Sequence, residues 1–279
     1  MKKQFVLITG ANDGIGLATA KAMLERGFAV IIHARNEDKA KTGVQRLEKG
    51  NAGAELIPVW GDLAHMDQVL RLAEQVKQVL PMGNGLDVLI NNAGVYEDKR
   101  TLTADGFETN MGINHFSHAL LTLKLHETLM VASAPRVLMV SSGVHIGAHL
   151  DFEDLELNKG WSPSGAYAAS KLANSLFAAG LAQNKDWDGI WTCSLHPGVI
   201  RTKMGIRVFG VGGEPLAEGA KTSVYCATAT GLESQNGGFF AHSRPAQGSP
   251  LIYNKQKVAE FWDLTLHRLK NYTANSSLE

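Results

Sequence analysis

The chain carries no excess of charge of either sign. Lysine plus arginine and aspartate plus glutamate each number 27, for a formal net charge of zero. That balance argues against a basic face for nucleic acid or an anionic membrane and leaves a small molecule as the expected partner. Cysteine is nearly missing. The two present, Cys193 and Cys226, sit among apolar or small residues without CxxC spacing, which points to buried free thiols rather than a disulfide or a metal site. Ten histidines include the pairs His115/His118 and His145/His149, but further ligands do not accompany them, so no metal is expected. No stretch approaches the roughly 20 apolar residues that span a bilayer. The apolar run behind Lys2 and Lys3 is too short for a signal-peptide core and ends in a glycine turn. The expectation is a soluble, cytoplasmic protein without a membrane span. Repeats, low-complexity segments and Pro/Gly/Ser linkers are also lacking. One domain over 1–270 is therefore expected, followed by a polar tail at 271–279.

What the sequence does contain is a rhythm. Apolar, β-branched runs at 5–9, 29–33, 55–60, 87–91, 136–140, 191–195 and 237–241 alternate with amphipathic segments, among them 15–26, 65–79, 106–130 and 216–230. Such strands separated by helices predict an α/β fold, a parallel sheet covered on both faces. Two stretches, 143–164 and 198–215, interrupt the alternation, and long connections in a compact domain are usually functional or disordered.

Between the first strand and the first helix stands TGANDGIG, from Thr9 to Gly16. Its glycines permit a tight turn, let the backbone approach a pyrophosphate, and aim the helix's free N–H groups and positive dipole end at it. Arg35 follows the second strand, where dinucleotide enzymes distinguish their cofactors. A guanidinium there suits a 2′-phosphate and an adenine face, so NADP(H) is favoured. NAD(H) is the alternative if Glu37 reads the ribose instead of opening the next helix behind an Asn36 cap. Farther along, Tyr167 and Lys171 lie one helical turn apart and point into the same space, although the pair alone also fits a solvated aromatic with a basic neighbour.

Taken in order, TGANDGIG, GDLA at 61–64, NNAG at 91–94, VSS at 140–142, YAASK at 167–171 and PGVIRT at 197–202 resemble the short-chain dehydrogenase/reductase family, over residues 5 to about 202. The resemblance implies a Rossmann-type doubly wound sheet of about seven strands and a nicotinamide cofactor. It assigns the turn residues Thr9, Gly10, Asn12, Asp13, Gly14, Ile15 and Gly16 to cofactor binding around the pyrophosphate. Asp62 and Leu63 are assigned to the adenine, Asn92, Ala93 and Gly94 to the adenosine ribose, and Pro197, Gly198, Ile200 and Thr202 to the nicotinamide end. The same resemblance implies catalysis by Tyr167, Lys171, Asn114 and Ser142, the last preferred to Ser141 because the family uses the second serine of the pair. Tyr167 is then the group that exchanges a proton with the substrate oxygen while hydride moves between substrate carbon and nicotinamide. Ser142 hydrogen-bonds that oxygen, Lys171 also binds the nicotinamide ribose, and Asn114 holds a water behind the lysine. For Asn114 the alternative is a helix residue bonded only to nearby backbone. A phenol with a pKa of about 10 works poorly near neutrality, so the lysine ammonium and an oxidised nicotinamide are expected to draw it down.

The long interval from Ser142 to Tyr167, with GVHIG, DFEDLEL and SKLAN around it, resembles the retinol-dehydrogenase-like branch, which handles apolar alcohols and carbonyls. Alcohol–carbonyl interconversion on a small hydrophobic substrate is the implied activity. Reduction of a C=C bond or a quinone by the same fold is one alternative. A non-catalytic NADP-binding sensor or scaffold is another, opposed by the presence of all four catalytic residue types. Met204 and Phe209, with Ile206 and Val208, make 198–215 either a lid over an apolar substrate or a surface loop with its own cluster. His145, with His149 and Trp161, is the candidate lining opposite, against the commoner structural histidine. A homodimer or homotetramer is expected through the helices of Asn114 and Tyr167, where Ala178, Ala179 and Gly180 permit close packing.

Overall fold

The computed structural model describes residues 2–49, 51, 53–210 and 212–273, the side chain of Phe209 excepted. The apolar runs become strands β1 (Phe5–Ile8), β2 (Ala29–Ala34), β3 (Leu56–Trp60), β4 (Val88–Asn91), β5 (Arg136–Val140), β6 (Trp191–His196), β7 (Gly238–Ala241) and β8 (Arg244–Ala246). Between and after them come helices α1 (Gly14–Leu24), α2 (Glu37–Glu48), α3 (Met66–Val79), α4 (Thr109–Met111), α5 (Ser117–Lys124), α6 (His126–Met130), α7 (Pro163–Gln183), α8 (Lys203–Phe209), α9 (Leu216–Thr228) and α10 (Lys255–Thr273). One sheet runs β3-β2-β1-β4-β5-β6-β7-β8, parallel from β3 through to β7. It has one strand more than expected. β8 pairs antiparallel with β7 and places Pro245 on the edge, where a missing N–H costs no ladder bond. Strand order reverses between β1 and β4, so the C-terminal ends of those strands open a crevice, the usual ligand position in a doubly wound sheet.

Alternation along β1 feeds two cores. Phe5 and Leu7 join Leu72, Phe116, Phe177 and Phe261 on the face covered by α3, α5, α7 and α10, whereas Val6 and Ile8 join Met23, Ile32 and Phe240 on the other. On the first face α10 lies along α7. The Trp262 ring stacks on Phe177 at 5.4 Å between centroids and fills the space that Gly180 leaves open, where a Cβ would stand 2.9 Å from the indole. Phe261 packs against His115 at 5.2 Å. The small-residue face of α7 expected to meet another subunit is thus covered by the chain's own last helix.

Other departures are local. The 106–130 region is not one helix: a π-turn, Gly112–Phe116, separates α4 from α5 and carries Asn114 at its centre. Gly112 is seated there against Thr103 and Phe107, which a Cβ would approach to 2.8 and 3.1 Å. π-turns often mark functional sites. The 143–164 segment opens with a 3₁₀ turn, Gly143–Gly147, and is anchored farther on by Trp161, whose indole N–H donates to buried Glu108 at 3.1 Å. The 198–215 segment contains α8, capped by Thr202 at one end and by left-handed Gly210 (φ 61°) at the other. Its two ends are pinned together by the Arg201 N–H to Glu214 carbonyl and Glu214 N–H to Val199 carbonyl bonds, both 2.9 Å. At the C-terminus, α10 takes in residues 271–273 of the expected tail; 274–279 lie outside the described residues.

Candidate active site

The turn after β1 is shaped for close approach by an anion. Gly10 and Gly14 hold left-handed φ values of 67° and 58°. A Cβ on Gly16 would stand 2.3 Å from the Gly10 carbonyl oxygen and 2.6 Å from Asn92 Nδ2, so only glycine closes the turn. Asp13 caps α1 by accepting from the Gly14 N–H at 2.9 Å, and Lys203 reaches its other oxygen at 2.5 Å. The lysine contact holds the Asp13 carboxyl below its usual range. Asn12 presents its carbonyl to Arg46 at 3.0 Å. Thr9 is fully buried: its Oγ1 accepts from the Asn92 and Ala93 N–H groups at 2.8 and 2.9 Å, while Asn92 Nδ2 donates to the Thr9 carbonyl at 2.7 Å. These bonds staple β1 to β4 across the crevice.

Along the crevice lies a cavity of about 280 Å³ whose lining includes Gly10, Ile15, Gly16, Asn92, Lys171 and Thr202. A dinucleotide fits this chemistry, with backbone N–H groups at the start of α1 for a pyrophosphate and no Cβ at positions 10 and 16 to obstruct it. Arg35 is exposed just beyond β2. Asp62 accepts from the Ala64 N–H at 3.0 Å. Leu63 is 5% exposed with its side chain in the core, which leaves its peptide to offer a cofactor, whereas Ile200, 6% exposed, lines the neighbouring cleft. Gly198 adopts φ 101°, turning the chain from Pro197 toward Thr202.

Ser162 caps α7 and Pro163 opens it, which sets the register that brings Tyr167 and Lys171 against the end of β5. Lys171 is 3% exposed; its Nζ donates to the Val140 carbonyl at 3.1 Å and lies 5.5 Å from the centroid of the Tyr167 ring. Ser142 hydrogen-bonds Tyr167. Ser141 faces away, donating its Oγ to the Lys171 carbonyl at 2.7 Å and accepting from Ser175 at 3.0 Å. Asn114 accepts from the Val95 N–H at 2.7 Å and donates to the Val95 carbonyl and Ser170 Oγ at 3.0 and 2.9 Å. Gly94 marks the corner where these groups meet, since a Cβ there would lie 3.2 Å from Asn114 Oδ1 and 3.3 Å from Lys171 Nζ.

Electrostatics in this corner differ from the expectation. Burial pushes Tyr167 up to about 12, with the Ser142 hydrogen bond pulling the other way, and burial brings Lys171 down to about 8. Desolvation is the largest influence on both groups, because burial disfavours the phenolate and the ammonium alike. Among the described residues no group of three or more His, Cys, Asp or Glu is placed to hold a metal ion.

The family model for short chain dehydrogenase matches residues 4–209. The chain belongs to the short-chain dehydrogenase family. It falls in the retinol-dehydrogenase-like branch and is an oxidoreductase of CH–OH and C=O groups. Human retinol dehydrogenase 12 is 36% identical over 273 residues, covering 95% of this chain and 85% of the relative; mouse retinol dehydrogenase 14 is 33% identical over 288 residues, with the same coverage. Among solved structures, an uncharacterized protein from Mycobacterium paratuberculosis matches with a TM-score of 0.79 at 30% identity, covering 96% of this chain and 93% of that one. The NADPH-bound carbonyl reductase from chicken fatty liver shares the fold, with a TM-score of 0.68 at 22% identity over 89% of this chain and all of that one.

Beside Tyr167 this dehydrogenase has a cleft of about 410 Å³, lined by Ser142, Val144 and Tyr167 together with Pro197, Val199 and Met204. Met204 therefore faces the cleft; the Phe209 side chain lies outside the described residues. A second cavity, about 450 Å³, shares Val144 and Tyr167 and is walled by the 143–164 segment, His149 included. His145 lines neither: it is buried behind Ser142 with both ring nitrogens engaged, so it is not placed to touch substrate.

Two further histidines support the site without having been singled out for it. His33 links the Gly10 N–H (3.3 Å) to the Gly61 carbonyl (2.9 Å), and His118 links Thr9 Oγ1 (2.9 Å) to the Asn114 carbonyl (3.0 Å). Burial lowers them to about 4 and about 3, so both are neutral. The available signals were a lone polar residue in an apolar strand and a histidine four positions beyond Asn114.

Proposed function

We propose that this dehydrogenase interconverts an alcohol and a carbonyl on a small hydrophobic substrate with NADP(H), using Tyr167 as acid and base. The observation that carries the proposal is that Tyr167 lines both the apolar cleft, beside Ser142, and the crevice suited to a dinucleotide, beside Lys171, with Asn114 buried behind them at the Gly94 corner. Arg35 beyond β2 and the NADPH of the chicken carbonyl reductase support NADP(H) over NAD(H).

Each residue's part follows from its surroundings. A phenol held near 12 is protonated at neutral pH and ready to donate to a carbonyl oxygen; taking the proton back requires the phenolate to be favoured. Ser142, bonded to that phenol, orients the same oxygen. Lys171 keeps a positive charge beneath the Tyr167 ring, stabilises developing phenolate and is positioned for the nicotinamide ribose. Asn114 holds the Val95 peptide and, by proposal, a water behind the lysine. The nicotinamide, when bound, supplies or accepts the hydride. Met204 and α8 cover the cleft as a lid in a single catalytic domain. A cytoplasmic location is part of the proposal, and detergent-free cell fractionation tests it. Among the described residues no helix is long and apolar enough to cross a membrane. Any homodimer or homotetramer is proposed to use a surface other than the α7 face under α10.

The test is nicotinamide oxidation with a panel of hydrophobic aldehydes, ketones and quinones, using NADPH and NADH in parallel. Turnover of aldehydes or ketones with NADPH preferred is expected. Tight NADPH binding without turnover of any compound favours the sensor, and turnover of quinones alone favours the other reductase chemistry.

A further inference from the structure

We infer that His145 is a positioning residue, holding the Ser142 peptide so that the serine hydroxyl stays on Tyr167 and the reacting oxygen. It rests on the proposed role of Ser142. His145 occupies the 3₁₀ turn after β5 and is completely buried. Its Nδ1 lies 2.6 Å from the Ser142 carbonyl oxygen, and its Nε2 lies 3.1 Å from the Ser249 backbone nitrogen. A carbonyl only accepts and a peptide N–H only donates, so the two contacts together select a single neutral tautomer, Nδ1–H. Burial holds the ring below the ordinary histidine range, against the pull of the Ser142 carbonyl. One edge of the ring is thus tied to the catalytic serine and the other to the segment between β8 and α10.

The remaining contacts leave the ring little freedom. It packs on Phe239 of β7 at 4.5 Å, and Gly248 approaches so closely that a Cβ there would stand 3.2 Å from Nε2. His196 of β6 flanks the neighbouring peptide, its ring 3.6 Å from where a Gly143 Cβ would be. Of these groups Ser142, Gly143 and His196 line the cleft beside Tyr167, and Ser142 is the one that His145 holds by a hydrogen bond. Because the Ser142 hydrogen bond lowers Tyr167 against the effect of burial, loosening Ser142 should be read out as a higher tyrosine pKa as well as slower turnover.

The test compares His145→Leu, which removes both bonds, with His145→Asn, whose amide keeps an N–H donor within reach of the Ser142 carbonyl. In the leucine variant kcat with an aliphatic aldehyde should fall about 10- to 100-fold, the range for an approximately 1 Å misplacement. NADPH affinity from fluorescence titration should stay unchanged. The phenolate titration of Tyr167, taken by difference against the same protein carrying Tyr167→Phe, should move to higher pH. The asparagine variant should recover most of the turnover. Ser249→Pro provides a second route should the leucine variant not fold. Residue 249 already has φ −56°, which suits proline, and the substitution deletes the N–H that anchors Nε2, so a smaller change of the same kind is expected.

Unchanged kcat and tyrosine titration in the folded variants would overturn the inference. So would a loss of kcat that merely follows NADPH affinity and is not rescued by asparagine. Full turnover in Ser142→Ala would instead remove the catalytic reading of Ser142 itself, which separates the two failures.

Discussion

Gly16→Ala puts the cofactor crevice to a direct physical test. The added Cβ would sit 2.3 Å from the Gly10 carbonyl oxygen, 2.9 Å from its carbon and 2.6 Å from Asn92 Nδ2, whereas ordinary contact begins at 3.4 Å. Two of the three obstacles belong to the backbone of the turn, so the turn and α1 must separate by about 1 Å, a displacement that costs about 100-fold when binding groups are misplaced. Overpacking of this kind also costs about 1–3 kcal/mol of stability, or roughly 2–12 °C in melting temperature for a chain of this size. NADPH binding, followed by the fluorescence of the bound nucleotide, should weaken about 100-fold while the protein remains folded at assay temperature. Gly27→Ala is the control. Its φ of 86° strains alanine, but a Cβ there meets nothing within 4 Å, so stability should fall slightly with NADPH affinity unaltered. If Gly16→Ala binds NADPH within about threefold of the native protein, a difference worth under 1 kcal/mol, the turn is not the pyrophosphate bed.

Arg35→Ala should weaken NADPH about 10- to 100-fold and leave NADH unchanged, as expected for loss of a charged hydrogen bond to a 2′-phosphate; equal losses with both nucleotides, measured by titration, contradict that contact. Lys171 titrates at about 8 in the folded chain against its ordinary 10.5, so the unfolded chain binds more protons between those values and stability should rise with pH from about 8 to 10, by at most a few kcal/mol. Above pH 10 the raised Tyr167 works in the opposite sense. Lys171→Met should flatten the rise in chemical denaturation, and an identical pH dependence in both proteins refutes the buried-lysine reading. Phe261→Ala, which opens the contact between α10 and the α5–α7 face, should cost about 3–5 kcal/mol in a denaturant titration. A loss below about 1 kcal/mol would mean that α10 is not a fixed part of that face.

The sheet and the site motifs are legible in the sequence for a physical reason. Strands buried on both faces must be apolar throughout, and a glycine turn at the first strand–helix junction has few uses. β8 was illegible because a three-residue edge strand containing Pro245 has neither length nor alternation. The π-turn at Gly112–Phe116 leaves the helical pattern almost intact, so only the structure separates α4 from α5. Ala178 to Gly180 on α7 signal close packing equally well for another subunit or for Trp262 of the same chain, and sequence does not choose between them. His145 illustrates the same limit at the site, since three residues past Ser142 its ring can point into the cleft or away, and the 3₁₀ turn turns it away. Helical spacing reports the proximity of Tyr167 to Lys171 but not the burial that opposes the fall expected from that ammonium together with an oxidised nicotinamide.

The most direct test of the central claim compares native protein with Tyr167→Phe in NADPH oxidation driven by hydrophobic aldehydes and ketones, with NADPH affinity measured on the same samples. The account predicts that the phenylalanine variant binds NADPH as the native protein does and loses about 100-fold or more in turnover, the scale of a lost general acid. Turnover within about tenfold of native in the variant, with affinity intact, would contradict it.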